Sequence, residues 1–315
     1  MTNFLIIIVC LLLGIWARRS PRFPREAGRA LNSFVIFLSL PALIFTQIPR
    51  LLGETPLGPR MIVPAAMPWG VFLLSWALFG WLGARRGWQR PTVGAMILTA
   101  GLGNTSFVGF PLLEALVGAE AIPIGIVIDQ VGSFLAVSVL GLSVAALYSG
   151  AKLETGVILK RIATFPPFLA LIAAVIWFYA GMPGENKLTP MFERIGGTLV
   201  PVALFAVGLP LHLHREVLGR RWRELGAGLA FKLLFAPAVL ALIFIPTLGV
   251  GGLLPHVVLL QSGMAPMITA AVVVSEFDLD SEIAGLMVGV GIPLSLLTVT
   301  IWHFALFGAA ALGQY

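Results

Sequence analysis

Apolar runs of about twenty residues recur along the chain, and charged residues are confined almost entirely to the gaps between them. The runs lie at about 2–17, 30–49, 61–84, 92–117, 122–148, 166–182, 195–212, 225–248, 255–274 and 283–311, lengths suited to membrane-spanning helices. Two of them do not read as ordinary lipid-facing helices. The fourth contains Gly101-Leu102-Gly103-Asn104-Thr105-Ser106-Phe107-Val108-Gly109-Phe110-Pro111, and the ninth contains Gln261-Ser262-Gly263-Met264-Ala265-Pro266. Glycines, prolines and adjacent polar side chains weaken the i to i−4 ladder there. The backbone groups so released persist at membrane depth only inside protein or beside water. Gly103, Gly109, Pro111, Gly263 and Pro266 therefore predict two broken helices, in which half-helix N-termini face anions and unwound carbonyls face cations.

The pattern also repeats. Ser39-Leu40-Pro41-Ala42-Leu43-Ile44-Phe45 in the second run is echoed by Thr198-Leu199-Val200-Pro201-Val202-Ala203-Leu204-Phe205 in the seventh. Pro41 precedes Pro111 by 70 residues and Pro201 precedes Pro266 by 65, which divides the chain into five runs over 1–150 and five more over 151–315. An odd number of spans per copy inverts the second copy. The predicted fold is an all-α polytopic membrane protein of ten transmembrane helices, built as two inverted five-helix repeats whose broken helices 4 and 9 cross near the bilayer midplane.

Charge adds an orientation. Of the twenty Lys and Arg residues, fifteen fall in odd-numbered gaps, four in even-numbered gaps, and one, Lys232, inside the eighth run. That excess predicts cytoplasmic odd gaps and both termini outside. The ninth gap, Glu276 to Glu282, is acidic although the count places it inside. The net charge of +6 is no nucleic-acid signal, because the basic residues sit in short loops without aromatic interleaving. Cys10, the only cysteine, permits neither an intramolecular disulfide nor a thiolate metal site. Phe4 to Trp16 resembles a signal-peptide core. No basic residue precedes it, no small-residue cleavage site follows, and Arg18 and Arg19 come next, so a retained first helix is expected.

Candidate chemistry gathers at the breaks. Asn104, Thr105 and Ser106 offer amide and hydroxyl groups to a carboxylate, which would also meet the free N–H groups of a half-helix beginning near Phe107. The same side chains are those that cap an interrupted helix. Gln261 and Ser262 correspond to them on the ninth run, as ligand contacts or as an interhelical hydrogen bond. Asp129, with Gln130 and Ser133, lies about 10 Å into the fifth run, where an ionisable group is a functional candidate by default. It could bind a proton, bind a cation or neutralise a lysine. Lys232, about 13 Å from the inner boundary, is the partner to test, with snorkelling as its other reading. Glu114 is expected at the outer mouth, and His303 as a hydrogen-bonded packing residue. His212 and His214 have a spacing that turns their rings apart, so no metal site is read there. No nucleophile elbow, phosphate loop or metalloprotease motif is present, which argues against an enzyme and implies no cofactor beyond a coupling proton or sodium ion.

With Gly103-Asn104-Thr105-Ser106-Phe107-Val108-Gly109-Phe110-Pro111, Pro201 to Gly208, Ala265-Pro266-Met267, Asp280 and Pro293 to Thr298 in view, the whole chain resembles the auxin efflux carrier family within the bile/arsenite/riboflavin transporter group. The resemblance implies a scaffold of helices 1, 2, 6 and 7, often dimeric, and a transport domain of helices 3–5 and 8–10. It also implies an organic anion as substrate. The short fifth gap, Ser149 to Phe165, points to a compact bacterial-type member. The expected protein is a secondary carrier of a small carboxylate in a cell inner membrane, working by elevator-type alternating access, with Gly285 to Gly291 allowing close packing at the moving surfaces. The alternatives are a sodium-coupled organic-anion symporter of the bile-acid type and a non-transporting membrane receptor.

Overall fold

The computed structural model describes residues 2–20, 23–24, 26–54, 59–209, 215–248 and 252–311, and among these it is helical without a β-strand. His212 and His214 lie outside the described residues. The helices are α1 (Thr2–Ala17), α2 (Ala27–Phe34), α3 (Leu40–Glu54), α4 (Ile62–Arg86), α5 (Arg90–Gly101), α6 (Gly109–Leu116), α7 (Ile122–Val127), α8 (Leu142–Ser149) and α9 (Thr155–Thr164). They continue with α10 (Pro166–Tyr179), α11 (Glu185–Gly196), α12 (Leu199–Gly208), α13 (Arg215–Ala230), α14 (Ala236–Leu248), α15 (Leu253–Ser262), α16 (Ile268–Glu276) and α17 (Ser281–Ala311). Several run on into one another. Six continuous stretches are long and apolar enough to cross a membrane: Ala27–Gly53, Ile62–Arg86, Ala119–Ser149, Glu185–Gly208, Leu218–Ile243 and Ser281–Gly308. A seventh is the pair α9 and α10, bent by 58°, and Leu5–Ala17 and Leu253–Ser262 are apolar but shorter. The chain is an integral, multi-pass membrane protein.

Four π-helical turns interrupt the long helices: Val35–Ser39, Ile128–Phe134, Val137–Gly141 and Phe231–Phe235. Two have a plain cause. Pro41 and Pro237 follow them by two residues, and a proline has no N–H to give the carbonyl four positions back, so the ladder widens just before it. The carbonyl that Pro237 leaves is that of Leu233, and it accepts the indole Nε1–H of Trp302 at 3.0 Å. Trp69 does the same for Val131 at 3.3 Å in the fifth span.

Packing sorts the helices into two groups. The helix α1 lies along α12, and α3 lies against α10 and α11. Gly14 and Gly208 let α1 and α12 approach backbone to backbone, since a Cβ on Gly208 would come within 2.5 Å of the Leu11 carbonyl. In the other group α4 packs on α5 and on the π turn at 128–134, α5 on α8 and α17, and α13 on α17. The two proline motifs of the first group meet: Ser39 Oγ and Thr198 Oγ1 share a hydrogen bond of 2.7 Å.

The acidic ninth gap finds its partners at one end of the molecule. Arg221 ion-pairs with Asp280, Arg220 with Glu282 at 2.5 Å, and Thr92 Oγ1 donates to Asp280 at 2.7 Å. These acids neutralise arginines of the seventh gap, which explains why an acidic segment sits among basic ones. At the other end, Arg50 pairs with Glu193 at 2.5 Å.

Candidate functional site

Both expected breaks are present, and each satisfies the other. Between α5 and α6 the chain is extended at Leu102, and between α15 and α16 it is extended at Met267. Gly103 and Pro266 face each other as a single antiparallel bridge. The Asn104 N–H donates to the Ala265 carbonyl at 2.7 Å, and the Met267 N–H donates to the Leu102 carbonyl at 3.0 Å. Gly291 of α17 makes room for the bridge, because a Cβ there would sit 2.5 Å from the Pro266 ring. Gly285 faces open space, so close packing in the Gly285 to Gly291 stretch is established only at Gly291 among these two.

The first half-helix starts at Gly109, two residues later than its expected start near Phe107. The reason is a cap. Asn104 Oδ1 accepts the N–H groups of Phe107 at 3.1 Å and Val108 at 3.3 Å, while the Asn104 and Ser106 carbonyls take those of Gly109 and Phe110. The free N–H groups expected there are thus occupied. The second half-helix is different. Its Met267 has no side-chain cap, and the N–H groups of Ile268, Thr269 and Ala270 have no acceptor among the described residues. The open, positive helix end at the crossing belongs to α16 rather than α6.

Asp129 is buried, at 4% exposure, within the π turn of the fifth span. Thr105 Oγ1 donates to its Oδ1 at 2.5 Å and lies 3.1 Å from Ser133 Oγ, and Gln130 Nε2 donates to its Oδ2 at 2.7 Å. Gln261 Nε2 donates to the Thr105 carbonyl at 3.1 Å, tying the second break to the first. Thr105, Asp129, Gln130, Ser133 and Gln261 therefore form one network. Ser262 stays out of it, its hydroxyl turned back onto the Leu259 carbonyl at 2.6 Å. Three amide atoms in or beside the network are buried without a partner: Asn104 Nδ2, Gln130 Oε1 and Gln261 Oε1. Leaving such an atom unpaired costs about 1–3 kcal/mol, so each is ready to take a partner that the described residues do not supply.

Lys232 is 2% exposed, so it does not snorkel to the surface. It also makes none of the ion pairs found among the described residues, and the expected pair with Asp129 is not formed. Its ammonium instead lies against the crossing, 3.1 Å from where a Cβ on Gly103 would be. A buried cation without a counter-ion costs several kcal/mol, so this amine is poised to take a partner at the break.

A cavity of about 240 Å³ opens beside the crossing, bordered by Asn104, Ser106, Asp129, Arg161, Phe165 and Thr269. Arg161 is the residue that the sequence alone did not mark: it entered only as one basic charge in the fifth gap. A second cavity of about 530 Å³, with Thr46, Gln47, Phe110, Glu114 and Glu193 on its walls, lies between the first and second helix groups. Glu114 is thus a cavity wall near the Arg50–Glu193 pair, not part of the Asp129 network. His303 hydrogen-bonds His256 at 2.9 Å, and His256 stacks on Phe307, a packed pair away from the crossing.

Known proteins resemble this chain along nearly its whole length. The family described as "Membrane transport protein" matches residues 1–303. An uncharacterized transporter of Methanothermobacter thermautotrophicus is 28% identical over 304 residues, covering 95% of this chain and 96% of that protein. Another from Methanocaldococcus jannaschii is 24% identical over 312 residues, covering 96% and 97%. A Rhizobium meliloti protein named "Putative malonate transporter" is 26% identical over 243 residues, covering 74% and 72%. All three are named as transporters, and none as an enzyme.

Proposed function

The chain belongs to the membrane transport protein family, which fits the auxin efflux carrier resemblance of its breaks, and from that premise we propose that it is a secondary carrier of a small organic carboxylate. One observation carries the reading. Asn104, whose amide nitrogen lacks a partner just behind the wall, and the uncapped N-terminus of α16 border one cavity beside the crossing, a donor set complementary to a carboxylate. Lys232, beside Gly103, is a further nitrogen donor at the crossing. The relative named for malonate, a short dicarboxylate, agrees in substrate class.

The same reading takes the fold as ten spans in two inverted repeats. In support, each repeated motif meets its counterpart, Ser39 with Thr198 and Gly103 with Pro266, as residues near a two-fold axis do. The helix groups around α1–α3 and α10–α12, and around α4–α8 and α13–α17, correspond to the scaffold and transport domain. Cavities at both ends of their contact are what sliding of one group past the other requires. The excess of basic residues in its gaps supports a cytoplasmic Arg161 end.

An anion entering the cavity meets Asp129, and two negative charges in a low-dielectric site repel strongly. A proton on Asp129 or a sodium ion removes that repulsion and couples the two movements. The acceptor oxygens of Gln130 and Gln261, each unpartnered, favour a cation close by.

Counterflow in proteoliposomes tests the proposal. Vesicles loaded with unlabelled malonate should accumulate labelled malonate saturably, and Asp129→Asn should abolish the dependence of uptake on pH or sodium. Absence of flux for mono- and dicarboxylates alike would sink the carboxylate reading.

A further inference from the structure

The corner between α9 and α10 is built by its sequence. Thr164-Phe165-Pro166-Pro167 ends one helix and starts the next, because a residue before proline is held extended and proline is favoured in a first helical turn. Phe165 accordingly has φ −79° and ψ 112°, and the two helix axes diverge by 58°. The Phe165 ring then stacks on Phe134 of the fifth span, with centroids 4.0 Å apart, five residues from Asp129. That stack pins the corner over the cavity. Arg161 lies one helical turn before Phe165 and reaches the same cavity, whereas its neighbour Lys160 is exposed.

Arg161 is partly buried, and none of the ion pairs among the described residues uses it. Glu276, on the far end of α16, is within electrostatic reach but is exposed. A guanidinium is a planar fork suited to holding a carboxylate through two parallel bonds. The cavity therefore has two separate anion-binding features. At the crossing are Asn104, with its unpartnered Nδ2 just behind the wall, and the free N–H groups of α16; at the α9 corner is Arg161. The wall also carries apolar Ile36, Leu40, Phe107 and Val137. A volume of about 240 Å³ lies at the small end of ligand cavities and suits a small ligand.

We propose that Arg161 is a substrate-contacting, specificity-determining residue: it holds the second carboxylate of a short dicarboxylate whose first carboxylate sits at the crossing. This rests on the carboxylate-carrier reading above and narrows it to dianions. Asp129 borders the same space, and Arg161 could instead serve only to balance its charge. In that case mono- and dicarboxylates would depend on Arg161 equally, which separates the two roles.

The test is ligand-dependent thermal stabilisation of the purified full-length protein by malonate and succinate, against acetate and propionate, for wild type, Arg161→Gln and Arg161→Lys. Unliganded unfolding temperatures establish that each variant is folded. Wild type should bind the dicarboxylates more tightly, and Arg161→Gln should weaken them by roughly 10- to 100-fold, the usual loss of a charge-assisted pair, with monocarboxylate binding unchanged. Arg161→Lys should fall between, keeping the charge but not the fork. An equal loss for both ligand classes, no loss, or a wild type without preference overturns the assignment and leaves the carboxylate carrier standing. A wild type that binds none of the four overturns both.

Discussion

The two breaks occupy equivalent places in the two halves of the chain and do opposite things. The first, rich in Asn, Thr and Ser, closes on itself: Asn104 caps its own half-helix, and Thr105 turns to Asp129. The second, with Met264, Ala265 and Pro266, has no side chain to cap α16 and leaves that helix end open to the cavity. Polar residues at a break thus do not identify the half-helix whose N–H groups stay free. They can consume the backbone groups that a ligand would otherwise use, and the apolar break supplies the free ones.

The largest expected effect comes from Asn104→Asp. Aspartate keeps an oxygen that can cap α6 but replaces the unpartnered donor Nδ2 with an acceptor and puts a second carboxyl group beside Asp129, so carboxylate affinity should fall about 100-fold. Ligand-dependent thermal shifts measure it. Asn104→Ala should lose about 1 kcal/mol of stability with the cap, and a melting temperature equal to that of wild type would refute the capping role drawn for this residue. Next is Gly291→Ala, which pushes a methyl group into the Pro266 ring; it should destabilise the protein by about 1–3 kcal/mol, whereas Gly285→Ala should be close to neutral. If thermal unfolding shows the two alike, the bridge between the breaks does not depend on that close approach.

Thr105→Val keeps the shape and removes the hydroxyl shared by Asp129 and Ser133, for an expected cost of about 1–2 kcal/mol. Its effect on the pH or sodium dependence of transport should exceed its effect on substrate affinity, since the hydroxyl serves Asp129. The smallest change is Ser262→Ala. Its hydroxyl bonds only its own helix, so stability and affinity should both stay within about 0.5 kcal/mol of wild type. A large loss of affinity there would mean that Ser262 turns toward the ligand during transport, and the contrast between the breaks would narrow.

Much of this was readable from the chain. Runs of apolar residues predicted the helices, and Gly103, Pro111, Gly263 and Pro266 predicted where two of them fail. Asp129 stood out because its depth exceeds the reach of a short side chain. Lys232 was readable as the one basic residue inside an apolar run and as a partner to test for Asp129, but its location against Gly103 was not. Nor was Arg161: a basic residue in a loop looks like a topology signal until a proline corner and a ring stack fold it over a cavity.

The chain by itself determined its apolar helices and its two breaks, because a helix ladder is built from bonds between residues four apart and fails for equally local reasons. Only the tertiary structure decided which groups at the breaks stay free. The acceptors that satisfy Asn104 and Met267 come from residues more than 150 positions away, at Ala265 and Leu102. A free donor is defined by the partner it lacks, and that partner is set by how the two halves cross.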